Sequence, residues 1–212
     1  MTLFDISVAY GIGTPGWPGD TAYECGWAWA MRDGASVNVG RVTTSWHVGT
    51  HADAPLHVLL DGAPSESLPL AAFAGPVTVL DATDTGASGQ LERPWLSEAL
   101  TGHVPERLLL RTGRSVASGH FPDAWPTLSA DAVGWLVSGG IQLLGVDAPS
   151  VDARTATDLH VHRTLFAGGA CVLENLRLDG VPDGAYLLSA YPVLVVGADA
   201  APVRAVLKAA PR

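Results

Sequence analysis

The most constraining feature of this sequence is a run of histidines and an aspartate in the segment SWHVGTHADAPLH (45–57). The side chains concerned are His47, His51, Asp53 and His57. All four positions are odd-numbered, so an extended chain would direct the four side chains to one face. Burying so many polar groups without partners would cost several kcal/mol, so packing alone does not explain the cluster. The segment is therefore predicted to form a metal or catalytic site.

Imidazole and carboxylate are ordinary ligands of zinc and similar divalent ions. An open catalytic zinc site usually takes three ligands from the protein, which leaves one of the four side chains for acid–base chemistry. His57 lies farthest along the segment, beyond Pro55. Histidine has an ordinary pKa of about 6.5, which suits proton transfer near neutral pH. We therefore predict that His57 transfers protons.

A second cluster follows in HVHRTLFAGGACVLENL (160–176), which contains His160, His162 and Glu174. Glu174 lies within an apolar stretch, where a buried carboxylate would need a partner. Alternation along a strand would also let Glu174 face solvent, and both histidines could lie on the surface of a helix. Beside the first cluster, however, one more histidine and one carboxylate could complete a second metal site. Asp53 would then bridge two ions.

The remaining chain predicts short elements separated by many turns, because 24 glycines and 15 prolines are spread along it. Helices are predicted at 93–100, 129–140 and 156–169. Strands are predicted at 3–10, 76–83, 107–113, 141–149, 170–178, 186–196 and 202–210, with one or two more between 23 and 48. Helices alternate with strands only in the middle, which favours a single mixed α/β domain over 1–212 rather than a doubly wound nucleotide-binding fold.

Charge and composition exclude several partners. Twelve basic and 21 acidic residues give a net charge of -9, which argues against nucleic acid or an anionic membrane as the main partner. No apolar run approaches the ~20 residues that a membrane span needs, and the N-terminus does not resemble a signal peptide. These features predict a cytoplasmic protein. The two cysteines, Cys25 and Cys171, are expected to be buried free thiols.

These motifs together carry a family resemblance. HVGTHADAPLH (47–57) resembles the HxGTHxDxPxH motif of the bacterial kynurenine formamidase (arylformamidase) and cyclase-like family of metal-dependent hydrolases. TPGWPGD (14–20), GVDAPSVD (145–152) and VHRTLFAGGACVLENL (161–176) are similar to further segments of that family, in the same order. The resemblance implies a mixed β/α domain of the swivelling β/β/α type, usually assembled as a homodimer.

The resemblance also implies roles for individual residues. It implies two zinc ions per subunit, with manganese as the alternative metal. The ligands of one ion would be His47, His51 and Asp53, and those of the other would be Asp53, His162 and Glu174. His57 would donate and accept protons, and Trp17 would contact the aromatic ring of the substrate. His162 is preferred to His160 because its spacing from Glu174 fits the family pattern, but His160 stays open as a ligand or supporting residue.

The implied reaction is hydrolysis of N-formyl-L-kynurenine to L-kynurenine and formate, a step of tryptophan degradation. Three alternatives are open at this stage. A related enzyme could act on a cyclic amide such as isatin. A serine hydrolase could use Ser115 in GRSVA (113–117), although this departs from GxSxG at its last position. A non-enzymatic module that stores metal or binds a ligand is the third. The six tryptophans other than Trp17 are expected to be packing residues.

Overall fold

The structure is a computed structural model that describes residues 2–85 and 89–209. Within these residues, the helices are α1 (Arg93–Ala99), α2 (Ala130–Ser138) and α3 (His160–Ala167). The strands are β1 (Leu3–Asp5), β2 (Glu24–Trp29), β3 (Val39–Thr43), β4 (His51–Asp53), β5 (Ala74–Asp81), β6 (Gln90–Leu91), β7 (Arg107–Arg111), β8 (Thr127–Leu128), β9 (Leu143–Val146), β10 (Cys171–Glu174), β11 (Gly184–Ser189), β12 (Ala200–Pro202) and β13 (Val206–Ala209). Short 3-10 turns join several of these elements.

The main sheet of the described residues has nine strands in the order β1-β13-β11-β5-β7-β9-β10-β4-β12. Its central strands β5, β7, β9 and β10 are parallel, and antiparallel strands extend the sheet on both sides. Each crossover between the parallel strands contains one helix. Such crossovers have one hand, and the four strands follow each other in one direction, so the three helices lie on the same face.

Apolar side chains alternate between the two faces of the central strands. Leu108, Leu110 and Leu144 pack in the cluster that also holds residues of the three helices. Leu109 and Leu143 pack on the opposite face, against side chains of the antiparallel strands. Full burial of a leucine side chain stabilises the fold by about 1.5–3 kcal/mol. A shift of one residue in any of these strands would lose this burial, so the two cores fix the register.

The mixed α/β class is confirmed, and the boundaries differ in places. The first strand ends at Asp5, and the third helix begins at His160 rather than at 156. The strand expected at 186–196 ends at Ser189, and Pro192 beyond it has no amide proton for a sheet. The strand expected at 202–210 is interrupted, because β12 and β13 occupy distant positions in the sheet. Position 210 lies outside the described residues.

A two-stranded hairpin, formed by β2 and β3, stands apart from the main sheet. Its strands are largely exposed, including Trp27 (53%) and Trp29 (63%), so the expectation that these tryptophans are packing residues was wrong. Cys25 is exposed as well, while Cys171 is buried as expected. The hairpin lies apart from the main sheet, so the side chains on both of its faces stay exposed. In the described part of the chain, no helix has the length and apolar character to cross a membrane.

Candidate metal centre and active-site cavity

Two neighbouring strands bring the two sequence clusters together. β4 pairs antiparallel with β10, and His51 lies opposite Glu174 in that register. Opposed residues of neighbouring strands share a face of the sheet, so the histidine of the first cluster meets the carboxylate of the second. Asp53 follows two positions after His51 and points to the same side. His51, Asp53 and Glu174 are all buried.

The turn before β4 directs His47 into the same place. Gly49 adopts a φ of +68°, and a Cβ there would lie 3.0 Å from the carbonyl oxygen of Ala9, so glycine alone fits without strain. Thr50 fixes the turn from below: its hydroxyl accepts from Val8 N at 2.7 Å and donates to Asn175 O at 2.6 Å. The chain therefore reverses sharply between His47 and the strand.

A turn, and not the expected extended strand, places His57 in the site. Residues Pro55–His57 form a 3-10 turn, so the segment from His47 to His57 is not one extended chain with a common face. The ring of His57 nevertheless lies beside the ring of His47, with centroids 4.3 Å apart. Its Nδ1 is 3.6 Å from Asp199 Oδ2, and its side chain is 30% exposed. Folding of the turns thus assembles the four side chains, with His57 at the solvent side.

Helix α3 supplies His162, and Asp152 holds both the helix and the histidine. The Asp152 carboxylate accepts from Val161 N at 2.8 Å and from His162 N at 3.0 Å. These amides belong to the first turn of α3, where they have no partner within the helix. The same carboxylate lies 2.7 Å from His162 Nδ1. One buried aspartate therefore caps the helix and orients the imidazole.

Each of the three inner histidines has one ring nitrogen against a hydrogen-bond acceptor. His51 Nδ1 lies 2.9 Å from Gly49 O, His162 Nδ1 contacts Asp152, and His47 Nε2 lies 3.0 Å from Asp199 Oδ2. An acceptor oxygen requires an N–H, so these nitrogens carry the protons. In each neutral imidazole the other nitrogen then presents a lone pair. Outer partners of this kind fix the tautomer of metal-binding histidines.

The three inner nitrogens converge on Asp53. His47 Nδ1 and His51 Nε2 lie 3.1 and 3.3 Å from Oδ1, and His162 Nε2 lies 3.1 Å from Oδ2. His162 Nε2 also lies 3.2 Å from Glu174 Oε1. Lone pairs and carboxylate oxygens repel one another at these distances unless a proton or a metal cation lies between them.

A buried carboxylate oxygen without a hydrogen-bond donor also indicates a bound cation. Among the described residues, Asp53 Oδ1 is a buried oxygen without a hydrogen-bond donor. The atoms of His47, His51 and Asp53 lie close enough together to hold one cation, as do those of Asp53, His57 and His162. Nitrogen and carboxylate donors of this number and arrangement fit a divalent metal centre.

Charge within the cluster shifts several pKa values. Desolvation opposes the charged form of His47, but the hydrogen bond to Asp199 and the adjacent carboxylate of Asp53 outweigh it and raise the pKa of His47 to about 10. Desolvation is likewise outweighed at His162, where bonds to Asp152, Asp53 and Glu174 raise the pKa well above its ordinary value. For His57, desolvation wins over attraction to Asp53 and lowers the pKa. A neutral His57 can therefore accept a proton at neutral pH.

The cluster forms the floor of a cavity of about 290 Å³. His47, His57, His162 and Glu174 line the cavity on one side. Trp17 and Phe121 line it on another, with ring centroids 5.4 Å apart in an edge-to-face arrangement. The buried Trp125 packs edge-on beneath both rings. The predicted substrate-contacting residue, Trp17, is 38% exposed and so leaves ring surface accessible.

Two other candidates lie elsewhere. His160 is exposed on α3 and is not among the described residues that line the cavity. Ser115 caps a 3-10 turn, and its hydroxyl donates to Leu176 O at 2.9 Å, so it has the contacts of a structural serine rather than a nucleophile. Neither residue joins the cluster around Asp53.

Sequence reasoning missed the residues that orient the site. Asp152 was visible within GVDAPSVD (145–152), where its position eight residues before α3 gave no hint of the contact with His162. Asp199 lies in the tail without a recognisable signal of its own. Asn175 also lines the cavity, and it donates through Nδ2 to His47 O at 3.3 Å.

Comparisons with known proteins agree with this arrangement. Residues 4–153 match the Cyclase family model, described as "Putative cyclase". The kynurenine formamidase of Salinibacter ruber (strain DSM 13855 / M31) is 43% identical, with 100% of this chain and 99% of that protein covered. The kynurenine formamidase of Bordetella avium (strain 197N) is 40% identical, with 97% of each covered. The solved structure of a "predicted metal-dependent hydrolase" from Bacillus stearothermophilus is 27% identical, with 97% of each chain covered and a TM-score of 0.81. This chain belongs to the cyclase family.

Proposed function

We propose that this protein is an arylformamidase that hydrolyses N-formyl-L-kynurenine to L-kynurenine and formate. The observation that carries the proposal is the convergence of histidine lone pairs and carboxylates at the floor of an aromatic-lined cavity. Such a floor can activate water, and the aromatic wall can hold a benzoyl ring. Identities of 40–43% to kynurenine formamidases over nearly the whole chain support the formamide as substrate.

We propose two zinc ions per subunit, with manganese as the alternative. His47, His51 and Asp53 would hold one ion, and Asp53, His162 and Glu174 the other. This division is supported by the two oxygens of Asp53, which face different histidines. When bound, the ions supply Lewis acidity, which activates water near neutral pH and stabilises negative charge on the carbonyl oxygen.

The protein's own residues provide orientation and proton transfer. Trp17 and Phe121 hold the aryl ring so that the formamide faces the floor of the cavity. His57, whose pKa is lowered, accepts a proton from the attacking water and delivers it to the departing aniline nitrogen. Asp199 lies near both His47 and His57 and keeps their rings in place. Water thus adds across the amide C–N bond as it breaks, and formate and the free aniline leave.

The test is an assay with purified protein and N-formyl-L-kynurenine, in which kynurenine is followed by its absorbance. The protein is assayed as purified, after exhaustive chelation with metal loss confirmed, and after zinc is added back. We expect turnover that chelation abolishes and zinc restores. Turnover that survives complete metal loss would remove the metal from the proposal. If the zinc-loaded protein shows no turnover, the proposed substrate class would change to cyclic amides such as isatin.

We also propose that the protein is a homodimer that buries the hairpin of β2 and β3. This hairpin exposes a group of large apolar side chains: Trp27, Trp29, Met31, Val37, Val39 and Val42. An isolated two-stranded hairpin is marginally stable in water, and exposed apolar patches of this kind mark protein interfaces. A second copy of the chain is the partner that the family resemblance favours.

A further inference from the structure

The rim of the cavity carries a tight turn that places an aromatic ring and a carboxylate side by side. Asp20 N donates to Trp17 O at 3.0 Å, which closes the turn Trp17–Pro18–Gly19–Asp20. Gly19 has a φ of +92°, and proline precedes it, as in a type II turn. Asp20 Oδ1 accepts from Thr21 N at 2.6 Å. The turn therefore fixes the carboxylate relative to the indole.

Asp20 lines the same cavity as the metal-binding cluster but takes no part in it. Among the described residues, Asp20 forms no ion pair, and no lysine or arginine lines the cavity. Asp20 is exposed, so its second carboxylate oxygen is accessible to a molecule in the cavity. The rim thus offers an uncompensated negative charge beside an aromatic surface.

We infer that Asp20 binds the ammonium group of the substrate's amino-acid side chain and selects aryl formamides that carry a cationic amine. This inference rests on the proposed function, because it assumes that the aryl ring packs against Trp17. The acyl chain of the substrate is ortho to the formamide and carries its ammonium group several bonds from the ring. With the formamide at the floor, this chain can extend along the cavity to Asp20, which lines the same cavity. A charge-assisted hydrogen bond between ammonium and carboxylate is directional and stronger than a neutral one.

An arginine that binds the carboxylate of the substrate is the alternative, and the structure supports it less. Arg154 lies over the ring of Phe121 at 5.5 Å from its centroid, outside the residues that line the cavity. Its guanidinium pairs with Asp123 at 2.8 Å. A substrate carboxylate would have to compete with that pair, whereas no cation of the described residues pairs with Asp20.

The experiment assays the zinc-loaded wild-type enzyme and its zinc-loaded Asp20→Asn variant on four substrates. The substrates are N-formyl-L-kynurenine, its decarboxylated analogue, its deaminated analogue, and ortho-formamidoacetophenone, which lacks the whole amino-acid part. Asparagine keeps the shape and an acceptor for Thr21 N. For the two substrates with an ammonium group, we expect kcat/KM to fall about tenfold, mainly through KM. The ratio of their kcat/KM to that of ortho-formamidoacetophenone should fall equally.

Two further variants complete the test. Asp20→Glu keeps the charge and should recover part of the loss, while Glu98→Gln removes the same charge from exposed helix α1 and should leave the ratio unchanged. Equal losses on all four substrates, or no loss, would overturn the inference. A loss that follows the substrate's carboxylate instead of its ammonium group would also overturn the inference. Failure of the wild-type enzyme on N-formyl-L-kynurenine would instead count against the proposed function.

Discussion

His57 differs from its three neighbours because it is partly exposed, has a lowered pKa and stands at the solvent side of the cluster. His57→Ala should therefore keep its zinc and lose about 10²–10⁴-fold in kcat, which is the usual contribution of general acid–base catalysis. Metal content by mass spectrometry and turnover of N-formyl-L-kynurenine check both parts. His103→Ala, an exposed histidine away from the cavity, is the matched control. Full activity of His57→Ala would remove His57 from the mechanism.

The raised pKa values of His47 and His162 predict that metal binding releases protons. At pH 8, a metal-free His47 with a pKa of about 10 is protonated, and a metal must displace that proton. Zinc affinity should therefore rise as the pH increases towards 10. Calorimetric titration of the metal-free protein in buffers of different ionisation enthalpy measures the released protons. Zinc binding without proton release at pH 8 would contradict the assigned protonation.

The raised pKa of His47 also determines how the stability of the metal-free protein changes with pH. The folded pKa of His47 lies above its ordinary value of 6.5, so protonation stabilises the folded state. That contribution is fully present below pH 6.5 and is lost as the pH rises through about 10. Metal-free protein should lose stability to denaturant over this range, and zinc-loaded protein should lose less because the cation replaces the proton.

At the scale of elements, helix α3 and the metal-binding cluster share Asp152. Asp152→Asn should cost about 1–3 kcal/mol of unfolding free energy, because its NH2 group cannot accept one of the two backbone N–H groups that the carboxylate now satisfies. It should also weaken zinc binding by about 10–100-fold, because the orientation of His162 loses its charged partner. Denaturant unfolding and competition with a zinc chelator measure the two effects separately. Asp158→Asn removes a charge just before the same helix N-terminus, which should cost at most about 1 kcal/mol, and should leave zinc affinity unchanged.

At the scale of the whole molecule, the exposed hairpin is the candidate dimer surface. Replacing Trp27 and Trp29 with serine should shift the protein from dimer to monomer, because these side chains expose the largest aromatic area of the hairpin. Light scattering after size-exclusion chromatography gives the mass. The matched control replaces Leu194 and Val196, which are also exposed, with serine. Dissociation by the control pair alone would assign the interface to that second surface.

The sequence by itself determined the class of fold and the membership of the cluster. Short apolar runs such as those within 107–113 and 141–149 predicted the central strands, since such a run bounded by turns is a local signal of a buried strand. The spacing of His47, His51, Asp53 and His57 predicted a shared site, and the structure brings them together with His162 and Glu174. The prediction that one extended strand would direct all four side chains to a common face was wrong in part. Turns at Gly49 and Pro55 bring the side chains together instead.

The tertiary structure decided which atoms meet. Asp152 and Asp199 orient histidines that lie 10 and 152 positions away in the sequence. No local pattern reveals such contacts, because they depend on the register between strands and on where a helix begins. The exposure of Trp27 and Trp29 was likewise undetermined, since alternation cannot show whether a hairpin joins the main sheet. Sequence patterns specify local geometry, and packing of distant segments specifies the protonation, orientation and charge of the site.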